Sequence, residues 1–234
     1  MPNFLCFGKC DFDNYRKYGH TIDSAHFVGS LKGSYYKYHL KKDPIPIKYD
    51  ICFISQYRTE IFSGKLRPDF FENSVKVHSL LKYYIEKYSL RACIACSSPN
   101  QDEYEYYKKK FGDNVIVIPN NSAGMSTYDA MNSSEVIITL YSTAALEAFG
   151  WGKKVLFFNL FDYEIAEFFH HGLCSIQTTD LEIVENKLNT LLQMPEKEYL
   201  LKTKNDREYM MNYDPHVPVN IYMRSIIEKI MKSH

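Results

Sequence analysis

The chain has 234 residues, 28 basic against 28 acidic, and 45% of its residues are apolar. Balanced charge argues against a nucleic-acid binder, which carries a basic excess, and the apolar fraction argues against disorder. No apolar run reaches the roughly 18 residues that a membrane-spanning helix needs.

The start, Met1-Pro2-Asn3-Phe4-Leu5, lacks the basic and long apolar regions of a signal peptide. A peripheral association with a membrane surface stays open. Aromatic content is high, with 20 Tyr and 15 Phe, and reads as a bias toward Tyr, Lys, Asn and Ile. The lysine runs Lys41-Lys42 and Lys108 to Lys110 read as solvated faces.

In chain order, Phe4 to Gly8 reads as a strand and Asp11 to Tyr18 as a helix, followed by Ala25 to Ser30 and a polar linker holding Pro44 and Pro46. Residues 1–48 therefore read as the closing elements of a preceding domain plus a linker. An N-terminal extension packed on the main sheet reads equally well.

From residue 49 onward strands and helices alternate. The strands are Asp50 to Gln56, Arg91 to Ser97, Val115 to Pro119, Glu135 to Tyr141, Val155 to Leu160 and Cys174 to Thr178. The first helix, Pro68 to Tyr88, repeats Phe70, Val77, Leu81, Tyr84 and Tyr88 at spacings of three, four and seven. Further helices are Gln101 to Phe111, ended by Gly112, Ser126 to Ser133, and Thr143 to Gly150. Asp180 caps another that runs to about Met194. The tail holds one or two more, broken by Pro215 and Pro218.

Strands separated by helices and written as near-continuous apolar runs predict an α/β fold. The expectation is a Rossmann-like parallel sheet of about six strands with helices on both faces, over 49–234. Ligands of such sheets bind beyond the carboxyl ends of the strands. That rule selects five loops: 55–65, 97–100, 120–126, 141–143 and 159–163.

The most informative stretch is Glu135 to Leu160, EVIITLYSTAALEAFGWGKKVLFFNL. Ser142 and Thr143 stand where strand becomes helix. Free N–H groups at Thr143, Ala144 and Ala145, with the helix dipole, would stabilise an anion. Glu147, four residues after Thr143 on the same face, would accept from ribose hydroxyls. The plain alternative is that Ser142 is an ordinary cap and Glu147 a solvated acid.

Asn120-Asn121-Ser122-Ala123-Gly124 forms a polar turn before Ser126, a candidate cap. His78 is expected on a helix surface. His170 and His171 are adjacent and point apart on a helix, so they cannot share one metal. Cys93 and Cys96 form a CxxC inside an apolar strand, with no further ligands for zinc. No metal is expected, and the six cysteines read as free thiols of a reducing cytoplasm.

Residues 126–160 resemble the donor-binding half of GT-B-fold glycosyltransferases. The matching pieces are Tyr128-Asp129-Ala130-Met131, Val136 to Thr139, Ser142-Thr143, Glu147-Ala148 and Gly152-Lys153. More narrowly, the chain resembles bacterial surface carbohydrate biosynthesis proteins related to capsule and teichoic-acid transferases. There a segment like Phe27-Val28-Gly29-Ser30 precedes the linker, and one like Tyr49 to Gln56 opens the donor domain. The similarity covers residues 1–231, as the carboxyl-terminal half of such an enzyme.

The resemblance implies a metal-independent glycosyltransferase of the cytoplasm, without cofactor, using a nucleotide sugar. An acceptor domain would come from a separate subunit or a second copy. It implies that Arg58 and Lys65 neutralise the diphosphate leaving group, and that Ser55, Ser97, Ser98 and Asn120 line the donor pocket with Ser142, Thr143 and Glu147. Two positions depart from the pattern. Lys154 replaces the proline after Gly-Lys, and Ser98-Pro99 stands where relatives carry His-Pro. A glycerophosphate transferase, a sugar-nucleotide epimerase or a non-catalytic binding module would use the same scaffold.

Overall fold

The computed structural model describes residues 1–40, 45–59, 68–121, 123, 125–160 and 172–232. Two units divide the chain: residues 1–44, 146–152 and 200–234 form one, and 45–145 with 153–199 form the other. The chain thus passes between units several times, where the sequence alone suggested one boundary near residue 48.

In the first unit, β1 (Asn3–Cys6) and β2 (Ser24–Phe27) pair in parallel, with Phe4 opposite Ala25. The helix α1 (Lys9–Lys17) connects them. Gly29 then turns the chain with φ +79°, a conformation that costs glycine little. Ser30 caps α2 (Leu31–Tyr35), its hydroxyl accepting from the Gly33 amide at 3.0 Å. One π-helical turn, Tyr36–Leu40, follows.

The second unit holds a sheet of six parallel strands. In chain order its elements are β3 (Tyr49–Ile54), α3 (Pro68–Tyr88), β4 (Ala92–Ala95), α4 (Gln101–Phe111), β5 (Val115–Ile118), α5 (Ser126–Asn132), β6 (Ser134–Thr139), α6 (Thr143–Gly150), β7 (Lys154–Phe158), β8 (Ser175–Ile176) and α7 (Leu181–Gln193). In space the strands run β5-β4-β3-β6-β7-β8. The α/β fold expected from the sequence is therefore the observed one.

All of β4 and β7 is buried. Successive strand residues point to opposite faces, so full burial means that both faces are covered. The middle of the sheet is packed by Ile51, Ile94, Ile137 and Leu156, each at most 1% exposed. At about 25 cal/mol per Å² of apolar surface, each such side chain contributes roughly 1.5–3 kcal/mol.

Local signals end the helices as their chemistry requires. Gly112 closes α4 at φ +74°, and Asp180 caps α7 through the Ile183 amide at 3.1 Å. The expected cap at Ser126 is corrected: Met125 takes that position at φ +54°, and the Ser126 hydroxyl bonds back to Asn121 N and Pro119 O.

The tail forms three helices rather than one or two: α8 (Glu196–Lys202), α9 (Lys204–Met210) and α10 (Val219–Lys232). Thr203 breaks the run between the first two. Arg207, one turn on, donates to the freed Leu200 carbonyl at 3.1 Å.

Candidate functional site

The strand order reverses direction between β3 and β6. Chain continuity moves outward from β3 through β4 to β5, then returns to β6 on the other side of β3. This is the topological switch point, where the carboxyl ends of two adjacent strands leave a crevice because their connections depart in opposite directions. Phe53 of β3 faces Ile138 of β6 in register. Thr139 is the last residue of β6, and Gln56 lies just past β3.

Both residues carry a buried polar atom that lacks a hydrogen-bond partner among the described residues: Gln56 Oε1 and Thr139 Oγ1. Thr139 is fully buried. Native interiors pair nearly all such groups, because an unmet one costs about 1–3 kcal/mol. Two unmet groups at the crevice of the sheet mark a place that an external polar molecule can complete.

Ser142 and Thr143 sit on the loop after β6, at the start of α6. Among the described residues, no hydrogen bond is made by either hydroxyl. The amides of a first helical turn lack intrahelical acceptors. The Ala145 N–H, expected to be free, instead donates to Ser142 O at 3.1 Å, which leaves the N–H groups of Thr143 and Ala144. Arg58 is exposed on the loop after β3. Lys65 lies outside the described residues.

Ser55, Ser97, Ser98 and Asn120 also lie at the carboxyl edge, but their side chains hold one another and the protein. Ser55, 1% exposed, donates to Tyr107 Oη at 3.0 Å and accepts from the Tyr57 amide at 3.0 Å. Asn120 Nδ2 donates to the carbonyls of Cys96 and Ser97, each at 3.2 Å. It therefore ties the β5 loop to the β4 loop.

Ser97 and Ser98 face an acid that the sequence reading passed over. Glu103 is wholly buried. Its Oε1 accepts from Ser97 N at 2.7 Å and Ser97 Oγ at 3.1 Å, and its Oε2 from Ser98 N at 2.9 Å and Ser98 Oγ at 2.8 Å. Four donors on one buried carboxylate satisfy it with charge-assisted hydrogen bonds. The signal was present in the sequence. Asn100 caps α4 through the Asp102 amide at 2.9 Å, and Glu103 stands three residues later in a capping-box pattern. Only the fold carries that carboxylate back past the cap to Ser97.

Glu147 belongs to the first unit, although α6 begins in the second. It is 6% exposed. A β-carbon added at Gly33 would stand 2.9 Å from Glu147 Oε2, 3.0 Å from the Trp151 ring and 3.3 Å from Ser30 Oγ. The carboxylate thus approaches the first turn of α2.

His78 corrects its expected position: it is 1% exposed, not on a helix surface. Its Nδ1 bonds Tyr106 Oη at 3.1 Å and its Nε2 faces Tyr107 Oη at 3.4 Å. Burial, helped by the charge of Lys110, pushes its pKa down to about 3, so the ring is neutral near pH 7. His170 and His171 lie outside the described residues, as do Ser122 and Gly124. All six cysteines are free and buried; Cys93 lies in β4 as expected, whereas Cys96 lies one residue past its end. Among the described residues no cluster could hold a metal, and no helix is long and apolar enough to cross a membrane.

The model of a family described as "putative O-antigen biosynthesis protein" matches residues 3–229. The chain belongs to this family. No curated protein matches it in sequence. Among solved structures it is similar to a "putative UDP-N-acetylglucosamine 2-epimerase" from Listeria monocytogenes, at 16% identity and a TM-score of 0.58, over 96% of this chain and 59% of that one. It is also similar to the Methanocaldococcus jannaschii UDP-GlcNAc 2-epimerase in complex with UDP-GlcNAc and UDP, at 15% identity and a TM-score of 0.54, over 82% of this chain and 54% of that one. The O-antigen family member therefore shares the fold of these enzymes and spans little more than half of their length.

Proposed function

We propose that the chain binds a nucleotide sugar at the switch point of its sheet and serves as the donor-binding half of a glycosyltransferase of O-antigen assembly. The observation that carries this reading is the pair of unmet buried atoms, Gln56 Oε1 and Thr139 Oγ1, at the carboxyl ends of adjacent central strands. An acceptor such as Gln56 Oε1 calls for an N–H or O–H, as on a base or a sugar. Thr139 Oγ1, Ser142, Thr143 and the first amides of α6 offer donors to a phosphate. Exposed Arg58 adds a cation on the neighbouring loop.

Calorimetry with UDP-GlcNAc, UDP, CDP and GDP tests this. Binding by at least one nucleotide, weakened about tenfold in Thr139→Val by loss of one charge-assisted bond, is the expected result. No heat from any of them at millimolar concentration would overturn it.

A second reading is favoured by the two structural neighbours: a sugar-nucleotide 2-epimerase. The two chemistries separate by product. A transferase passes the sugar to an acceptor hydroxyl and releases the nucleoside diphosphate, whereas a 2-epimerase inverts one carbon and its product keeps the nucleotide attached. Proton NMR of UDP-GlcNAc incubated with the protein distinguishes them. Ser98 in place of the relatives' imidazole, and a Glu103 already saturated by four donors, favour binding over proton transfer at the β4 loop.

A further inference from the structure

A second cluster lies on α3 and α4, and its Tyr106 also reaches Tyr57 on the loop after β3, ring centroids 5.4 Å apart. Ser79 and Lys82 are three apart on α3; Tyr106, Lys109 and Lys110 are three and four apart on α4. Helical spacing brings each set to one face. Together they line a cleft of about 530 Å³, within the usual range for small-molecule sites.

The cleft is positive and lacks an acid among its lining residues. Lys110 Nζ crosses to Ser79 Oγ at 2.9 Å, which fixes its ammonium between the helices. Lys82 meets Glu86 only at 3.8 Å, along its own helix. Among the described residues, neither Lys109 nor Lys110 has a carboxylate within ion-pair distance. Two other lysines show what pairing looks like here: Lys87 meets Glu185 at 2.8 Å, and Lys154 meets Glu135 at 2.6 Å. Lys109 and Lys110, neighbours without a carboxylate beside them, concentrate positive potential in the cleft for an anion, and Lys82 adds to it over its long contact with Glu86.

Tyr106 supplies a half-buried ring beside these cations, held by the His78 bond at 3.1 Å. Burial raises its phenol pKa to about 12, so it remains neutral and does not repel an anion. The volume exceeds what a bare phosphate fills.

We infer that the cleft between α3 and α4 is a second binding site, for an anionic sugar. Its phosphate or carboxylate meets Lys82, Lys109 and Lys110, and its ring lies against Tyr106. This site is independent of the nucleotide reading.

The test is a set of NMR titrations of the whole chain with glucose 1-phosphate, glucuronate, neutral glucose and inorganic phosphate. Shifts are read at Ser79, Tyr106 and Lys110. An anionic sugar should move these signals and bind about tenfold more tightly than inorganic phosphate or glucose. Whichever of glucose 1-phosphate and glucuronate binds more tightly identifies the anion. The double change Lys109→Gln/Lys110→Gln, on exposed or half-buried side chains, should weaken it at least about tenfold while leaving the fold and any nucleotide binding intact. Arg58→Ala should leave it unchanged. Absence of these shifts, glucose binding as well as the charged sugars, or undiminished binding by the double variant would each overturn the proposal.

Discussion

Ser98 gives both of its donors to one oxygen of Glu103, its amide at 2.9 Å and its hydroxyl at 2.8 Å. The position where the sequence resemblance led to an expected imidazole is here part of an internal anion cradle. The protein supplies its own carboxylate to the turn after β4 and ties that turn to α4.

Glu103→Gln should expose how much this cradle contributes. The amide cannot accept at both ends, so at least one of the four donors is left opposite an N–H. A hydrogen bond to a buried charge is worth about 1.5–3 kcal/mol. A loss of about 2 kcal/mol, or roughly 4–8 °C in the thermal midpoint for a chain of this size, is expected by calorimetry. An unchanged midpoint would show that the turn is held by other contacts.

Thr139→Val should behave in the opposite way. The hydroxyl has no partner among the described residues, and valine has nearly its shape. Stability should stay level or rise by up to about 1 kcal/mol. Nucleotide affinity should fall in the same variant. Destabilisation by more than about 1 kcal/mol in urea would mean that the hydroxyl is satisfied within the protein.

His78 predicts a pH dependence. Its folded pKa of about 3 lies below the ordinary 6.5, so between these values the unfolded chain binds more protons. Stability from this group is complete above pH 6.5 and falls by about 1.4 kcal/mol per pH unit below it, down toward pH 3. Urea midpoints against pH for the wild type and His78→Gln should diverge in slope across that window. Parallel curves would contradict a buried neutral imidazole.

Gly29→Ala should be severe. The position holds φ +79°, and a β-carbon there would stand 2.1 Å from the Asn212 carbonyl oxygen. A backbone oxygen cannot swing aside, unlike a side-chain end. The loss should reach about 2–4 kcal/mol from combined strain and overlap. Gly112→Ala provides the comparison: φ is +74° with open space around it. Its ψ of −160° adds a conformation that is nearly glycine-only, so it should cost about 1–3 kcal/mol from the backbone alone, without the overlap. Equal losses in the two variants would place the whole effect in the backbone conformation.

Much of this molecule was written locally. Apolar runs such as Val155 to Phe158, the glycine stop at Gly112 and the cap at Asp180 each act through neighbours within a few residues. The six-stranded α/β sheet was therefore legible. His78 was misjudged because the helical period of α3 shows which face is polar on average, not that two tyrosines of α4 fold over one histidine. Ser97 and Ser98 looked like open donors because Glu103 reaches them only after α4 begins.

The sequence by itself determined the strands, the helices and the loops that meet at one edge of the sheet, because propensity, periodicity and capping are short-range effects. Tertiary structure alone decided which polar groups at that edge are already satisfied. Strand order places β6 beside β3 and leaves Gln56 Oε1 and Thr139 Oγ1 unmet, and the packing of α4 on the sheet brings Tyr107 Oη to Ser55. Hydrogen-bond satisfaction depends on groups distant in the chain arriving within 3 Å of each other, and no local pattern specifies that.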